Sequence, residues 1–178
     1  MYKRQDKDTS GLLVIAKTEE AKTKLSSQFF HKTSSRKYVA VCWGNLENDN
    51  GTIIGNIGRS ISNRKIMGVF PEGSDYGKHA VTHYHVLERL GYVSLVECRL
   101  ETGRTHQIRV QMAGISHPVY GDMRYGGALA QKGKLALWAY SLAFSHPVTK
   151  ERLRFLAYPP ESETPWKAFD IPHAVEIK

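Results

Sequence analysis

Cysteine is scarce in this chain: its 178 residues include two, Cys42 and Cys98. They form no CxxC pair, so a zinc ribbon is not expected. Both fall in apolar, strand-like runs, where buried free thiols are common. A reducing cytoplasm fits that usage. Long apolar runs are also missing; none approaches the roughly 20 residues that span a bilayer. No secretory pattern opens the chain. Nucleotide-cradling loops are absent as well, with no GxxxxGKS/T and no GxGxxG before a helix. There is no GxSxG nucleophile elbow. Acidic residues are in the minority, 17 against 25 Lys and Arg, which leaves a net charge of +8. Such an excess suits a polyanionic partner through counterion release. It equally suits a solvated basic surface with no specific partner.

What is present reads as an ordinary globular domain. Hydrophobic residues make up 41% and charged residues 24%, and the length suffices to bury a core. The first five residues, Met1-Tyr2-Lys3-Arg4-Gln5, translate ATG TAT AAG AGA CAG, the end of a transposon adapter used in DNA library preparation. They are read as a foreign scar and set aside. Native strands, or a whole further domain, are then expected upstream of Asp6.

Leu12–Ala16 is a short apolar run, expected to be a buried strand. Thr18 can cap a helix carrying Glu19 and Glu20 in its first turn, with Ala21, Leu25 and Phe29 on one face. Residues 37–43 alternate and read as a strand. The segment 55–77, rich in Gly, Ser and Asn, is a long basic excursion or loose hairpin carrying Arg59, Arg64 and Lys65. Two strands, 80–89 and 92–101, flank Leu90-Gly91 as a hairpin. A short helix is expected over 105–113, a loop over 116–127, and late strands over 135–144 and 152–157. The tail after Pro159 looks polar and irregular. Many strands, few helices and hairpin connections predict an α+β domain with a mixed, mainly antiparallel sheet.

Three segments can carry chemistry. Asp6 and Asp8 precede the first expected strand, with Thr9, Ser10 and Gly11 as a tight polar turn; an Asx or Ser/Thr turn explains them equally well. On a helix starting near Thr105, Ile108, Arg109 and Met112 share a buried face. A buried arginine needs a carboxylate, because an unpaired buried charge is costly; a purely structural salt bridge satisfies that need too. Tyr38, beside Arg36 and Lys37, can stack on a base while the cations hold phosphates; core packing is the plainer alternative. His79, His83 and His85 lie close together, but no further ligand set appears at metal spacing.

Taken together these segments resemble the RluA-type pseudouridine synthases, RNA-modifying enzymes. Asp6-Lys7-Asp8-Thr9-Ser10-Gly11-Leu12-Leu13 is similar to that family's catalytic motif. Arg36-Lys37-Tyr38-Val39-Ala40-Val41 resembles its tyrosine motif. Gly103-Arg104-Thr105-His106-Gln107-Ile108-Arg109, running on through His117-Pro118-Val119-Tyr120-Gly121-Asp122 to Tyr125-Gly126, resembles its arginine motif. The resemblance covers nearly the whole chain in order. It implies Asp6 as the catalytic aspartate, Tyr38 as the tyrosine that stacks on the uracil and serves as a base, and Arg109 as the arginine paired with Asp6. It places Thr9, Ser10 and Arg104 along the site; Arg36, Lys37, His106, Arg59, Arg64 and Lys65 are assigned with them to RNA contact. It implies a central RNA-binding cleft, no cofactor and no metal. The substrate class is ribosomal RNA of the large subunit, with transfer RNA as the second choice, and the enzyme is expected to be a cytoplasmic monomer. The pattern departs at Lys3-Arg4-Gln5, where the family has Arg-Leu before the aspartate. The family's first strands and the S4-like domain that many members carry have no counterpart, so residues 6–178 are expected to be an N-terminally incomplete catalytic domain. The rival classes are an RNA-binding module without activity and a metal hydrolase built on the histidines.

Overall fold

The computed structural model describes residues 6–176; the proposed scar at residues 1–5 lies outside them. The elements run β1 (Ser10–Gly11), α1 (Glu19–Phe30), β2 (Ser35–Trp43), β3 (Asn50–Arg59), β4 (Met67–Phe70), β5 (Lys78–Leu90), β6 (Val93–Leu100), α2 (Gln107–Gly114), β7 (Leu137–Ser145), β8 (Arg152–Leu156) and α3 (Ile171–Glu176), with short 3-10 turns at residues 127–129 and 166–168. The strands form one sheet in the order β1-β7-β2-β6-β5-β3-β4, with β8 also on β7. The β1–β7 pairing is parallel and the others are antiparallel. The fold is therefore α+β, as expected.

Hairpin connections explain the order. β5 and β6 turn at Gly91, which adopts a positive φ of 59°, and β3 pairs with both β4 and β5. Thr18 caps α1, its hydroxyl accepting from Ala21 N–H at 3.1 Å. Leu25 of α1 packs with Leu142 and Phe144 of β7. Val39–Cys42 of β2 and Leu95, Val96 and Cys98 of β6 are fully buried in the main core. The two cysteines are free thiols there, and burial pushes the Cys98 thiol up to about 12.

Three expectations need correction. Leu12–Ala16 is not a ladder strand, and its side chains alternate between half-buried and exposed. β1 stops at Gly11 because β8 already occupies β7 from Ser141 onward. Leu12, Val14 and Ala16 pack instead on the Leu25 cluster. The excursion 55–77 does hold a hairpin, Asn56–Arg59 pairing with Met67–Phe70, but it is more regular than its composition suggests: its first residues belong to a ten-residue strand that pairs with β5 over Asn50–Ile57. The tail after Pro159 is not merely irregular, since Trp166, Phe169 and Ile171 are buried in the main core. Among the described residues no helix is long and apolar enough to cross a membrane.

Candidate active site

The site forms where β1, β2 and the start of α2 meet. Gly11 and Tyr38 are both paired with Ala139 of β7, from opposite sides. Gly11 has φ +99°, and a Cβ there would sit 2.3 Å from the Ala139 carbonyl oxygen. Only glycine permits that approach, and it seats the Asp6–Ser10 turn against the sheet. The β2–β7 register shifts beside the tyrosine: Lys37 faces Ser141 and Tyr38 faces Ala139, which leaves Tyr140 of β7 as the extra residue of a bulge next to the site.

Asp6, Thr9, Arg36, Tyr38, Arg104 and His106 then line one cleft of about 360 Å³. Asp6 Oδ1 accepts the His106 backbone N–H at 3.3 Å. His106 is the N-cap of α2, so the carboxylate faces the positive end of that helix. Gln107 fixes the loop that carries Arg104: its Oε1 accepts from Thr102 Oγ1 at 2.8 Å and from Arg104 N–H at 2.9 Å. Its amide nitrogen donates to the Val81 carbonyl and to Thr82 Oγ1. The Arg104 Nε donates to the His79 carbonyl at 2.8 Å. Arg36 lies over the Phe29 ring, 5.0 Å from its centroid. Burial raises the Tyr38 phenol above its usual pKa, against the pull of Arg36.

Arg109 sits behind this cleft, only 3% exposed. Its carboxylate partner is Asp122, not Asp6 as expected: Nε and Nη2 donate to the two Asp122 oxygens at 2.7 and 2.9 Å. The reason is burial. Asp122 is itself fully enclosed in the loop after α2, whereas Asp6 is half-exposed. Nη1 lies 3.6 Å from Asp8. Burial opposes the charge on Arg109, but the bonds and charge of Asp122 outweigh it and raise the guanidinium further. Burial likewise works against the Asp122 carboxylate, and Arg109 with the N–H groups of Arg124 and Tyr125 overrides it, so the net shift is downward.

The other assigned residues divide. Ser10 lines a neighbouring cleft of about 700 Å³ with Asp8, Arg109 and Arg124. Arg59 lines a third with Arg104 and Thr105. Arg64 and Lys65 are exposed at the β3–β4 tip. Lys37 lies on the opposite face of β2 from Tyr38, its Nζ 3.1 Å from Glu97, so it does not join the cleft. The histidines are spread along β5: His83 binds Glu101 at 2.6 Å and Thr52 at 2.9 Å, while His85 meets Asn50. Among the described residues no group of three or more His, Cys, Asp or Glu converges as a metal set. Asp122, Tyr125 and Gln107 were not singled out from sequence, although each stands inside a quoted motif. The signal for Asp122 was the need of Arg109 for a buried carboxylate.

A carboxylate facing a helix N-terminus, an aromatic wall and two flanking arginines are the groups that can receive a flat ring carried on an anionic chain. The family profile described as RNA pseudouridylate synthase matches residues 1–114. The chain is 49% identical to the "Uncharacterized RNA pseudouridine synthase YlyB" of Bacillus subtilis over 160 residues, covering 89% of this chain and 51% of that protein. It is 44% identical to the "Ribosomal large subunit pseudouridine synthase D" of Vibrio cholerae over 172 residues, covering 89% and 52%. The solved structure of "Human RNA Pseudouridylate Synthase Domain Containing 1" superposes with a TM-score of 0.78 at 27% identity, over 97% of this chain and 77% of that one. The chain belongs to the RNA pseudouridylate synthase family. It spans about half the length of the curated relatives it matches.

Proposed function

We propose that this chain carries the catalytic centre of a pseudouridine synthase acting on structured RNA, with large-subunit ribosomal RNA as substrate and Asp6 as the reacting carboxylate. The observation that carries the reading is the single cleft that holds Asp6, Tyr38, Arg36 and Arg104. The names of the relatives from Vibrio cholerae and Zymomonas mobilis, ribosomal large subunit pseudouridine synthase D, support the RNA class. We take the protein to act as a cytoplasmic monomer.

The reaction breaks the uridine C1′–N1 bond, turns the uracil and joins C1′ to C5; the hydrogen on C5 leaves as a proton and N1 ends protonated. A charged carboxylate at the ring can add to sugar or base, or take a proton from the sugar. The His106 N–H on Asp6 and the α2 dipole it faces support this role. The uridine must leave its stack, and Tyr38 is the ring that receives it. The raised phenol favours a platform over a resting phenolate base. Arg36 and Arg104 flank the cleft as phosphate contacts.

Asp6→Asn is the deciding variant. Incubated with unmodified ribosomal RNA transcripts, the wild-type chain is expected to form pseudouridine at discrete positions, and the variant to form none while binding the same RNA. A folded, RNA-binding wild type that modifies nothing, or a fully active Asp6→Asn, ends the proposal.

A further inference from the structure

Tyr125 contacts His106, Arg109 and Asp122, yet the chemistry above does not use it. Its hydroxyl lies 2.7 Å from the His106 ring nitrogen Nδ1 and accepts the Met67 backbone N–H at 3.0 Å. Its ring faces the Arg109 guanidinium, 5.3 Å from the centroid. Its own N–H donates to Asp122, the carboxylate that grips Arg109. His106 in turn holds Asp6 through its backbone N–H, and does so in a left-handed conformation, φ 56°. A non-glycine residue keeps that conformation when its surroundings enforce it.

We propose that Tyr125 is a positioning residue: its hydroxyl locks the His106 ring, so that the His106 N–H stays on Asp6 while the tyrosine ring backs Arg109. The role rests on the function proposed above. Hydrogen-bond bookkeeping makes it specific. The Met67 N–H can only donate, so the phenol oxygen accepts there and its own proton is free to go to Nδ1. In the proposed arrangement the phenol donates to Nδ1, which makes His106 neutral with its proton on Nε2. The surrounding charges agree on balance. Burial disfavours the imidazolium, as do Arg109 and Arg124; Asp6 and Asp122 favour it, and the net shift is downward. Met67 opens β4 directly after Arg64, Lys65 and Ile66, so the same hydroxyl ties the basic hairpin to the carboxylate.

The test is nuclear magnetic resonance of the whole chain with ¹⁵N-labelled histidine, which needs no activity. In the wild type, His106 is expected as the neutral Nε2–H tautomer, titrating below the ordinary histidine value of about 6.5. Tyr125→Phe keeps the ring over Arg109 and removes the hydroxyl. It should mix the tautomers, raise the His106 midpoint, and lower kcat roughly ten- to a hundred-fold with KM within about two-fold, as expected for a displaced reacting group. A wild-type His106 protonated on Nδ1 at neutral pH overturns the proposal without any variant. So does a folded Tyr125→Phe with unchanged tautomer, titration and kcat. Failure of the wild type to make pseudouridine strikes only the functional proposal, because the tautomer is read separately.

Discussion

At the scale of single residues, Arg109 and Asp122 carry the largest electrostatic stake. Both are buried, and each offsets the desolvation of the other with two hydrogen bonds. Removing one partner of such a pair leaves an uncompensated charge and costs about 3–5 kcal/mol. Asp122→Asn is therefore expected to lower the urea midpoint by that equivalent with an unchanged slope. The pH dependence has a definite sign. The folded carboxylate titrates below the ordinary aspartate value of about 3.9. Its contribution is complete above that value and disappears as pH falls through the depressed folded pKa. The variant should lose this part of the acid limb; an identical acid profile would show that Asp122 is not its source. The sequence announced that Arg109 needs a carboxylate, since Ile108 and Met112 mark a buried face. It did not announce which one, because the pairing depends on how the loop 116–127 folds back over α2.

At the scale of elements, β1 is the weak and decisive piece. It holds two residue pairs to β7, and Leu12 N–H adds one more bond to the Ala139 carbonyl at 2.8 Å. Gly11→Ala brings a Cβ within 2.3 Å of backbone and forces a side chain into a strained φ, worth about 1–3 kcal/mol before the clash is counted. Faster amide exchange at Leu12 and a loss of turnover larger than the loss of stability are expected, because β1 carries the Asp6 turn. Native exchange at Leu12 in that variant would refute the picture. The antiparallel strands were legible because alternation and turn residues are local signals. The end of β1 was not: it is imposed by β8, some 140 residues later in the chain. The bulge at Tyr140 beside the site was hidden for the same reason, since a register shift belongs to two strands at once.

For the whole molecule, charge sets the terms of association. With a net charge of +8, affinity for structured RNA should fall linearly on a log–log plot against salt, each phosphate contact adding roughly 0.7–0.9 to the slope. Replacing Arg64 and Lys65 together by Ala should reduce that slope by about 1.5, and by nothing if the hairpin tip holds no phosphate. Lys37, paired with Glu97 on the far face, should leave the slope alone. Fold class and the order of the main elements were readable because they follow from hydrophobic period and turn chemistry. The role of the tail was not, because Trp166, Phe169 and Ile171 are separated by polar residues and show no period.

Those three side chains have a consequence for how the protein is made. A ribosome delivers the eight strands of the described residues before it reaches Trp166, yet the main core includes Trp166, Phe169 and Ile171. Until they arrive, the nascent sheet shows water the apolar patch they will cover, the kind of surface that draws chaperones or neighbouring chains. The Asp6 turn leaves the exit tunnel before the sheet that must hold it closes. Synthesis itself therefore keeps the proposed reacting carboxylate unassembled until Trp166, Phe169 and Ile171 have emerged.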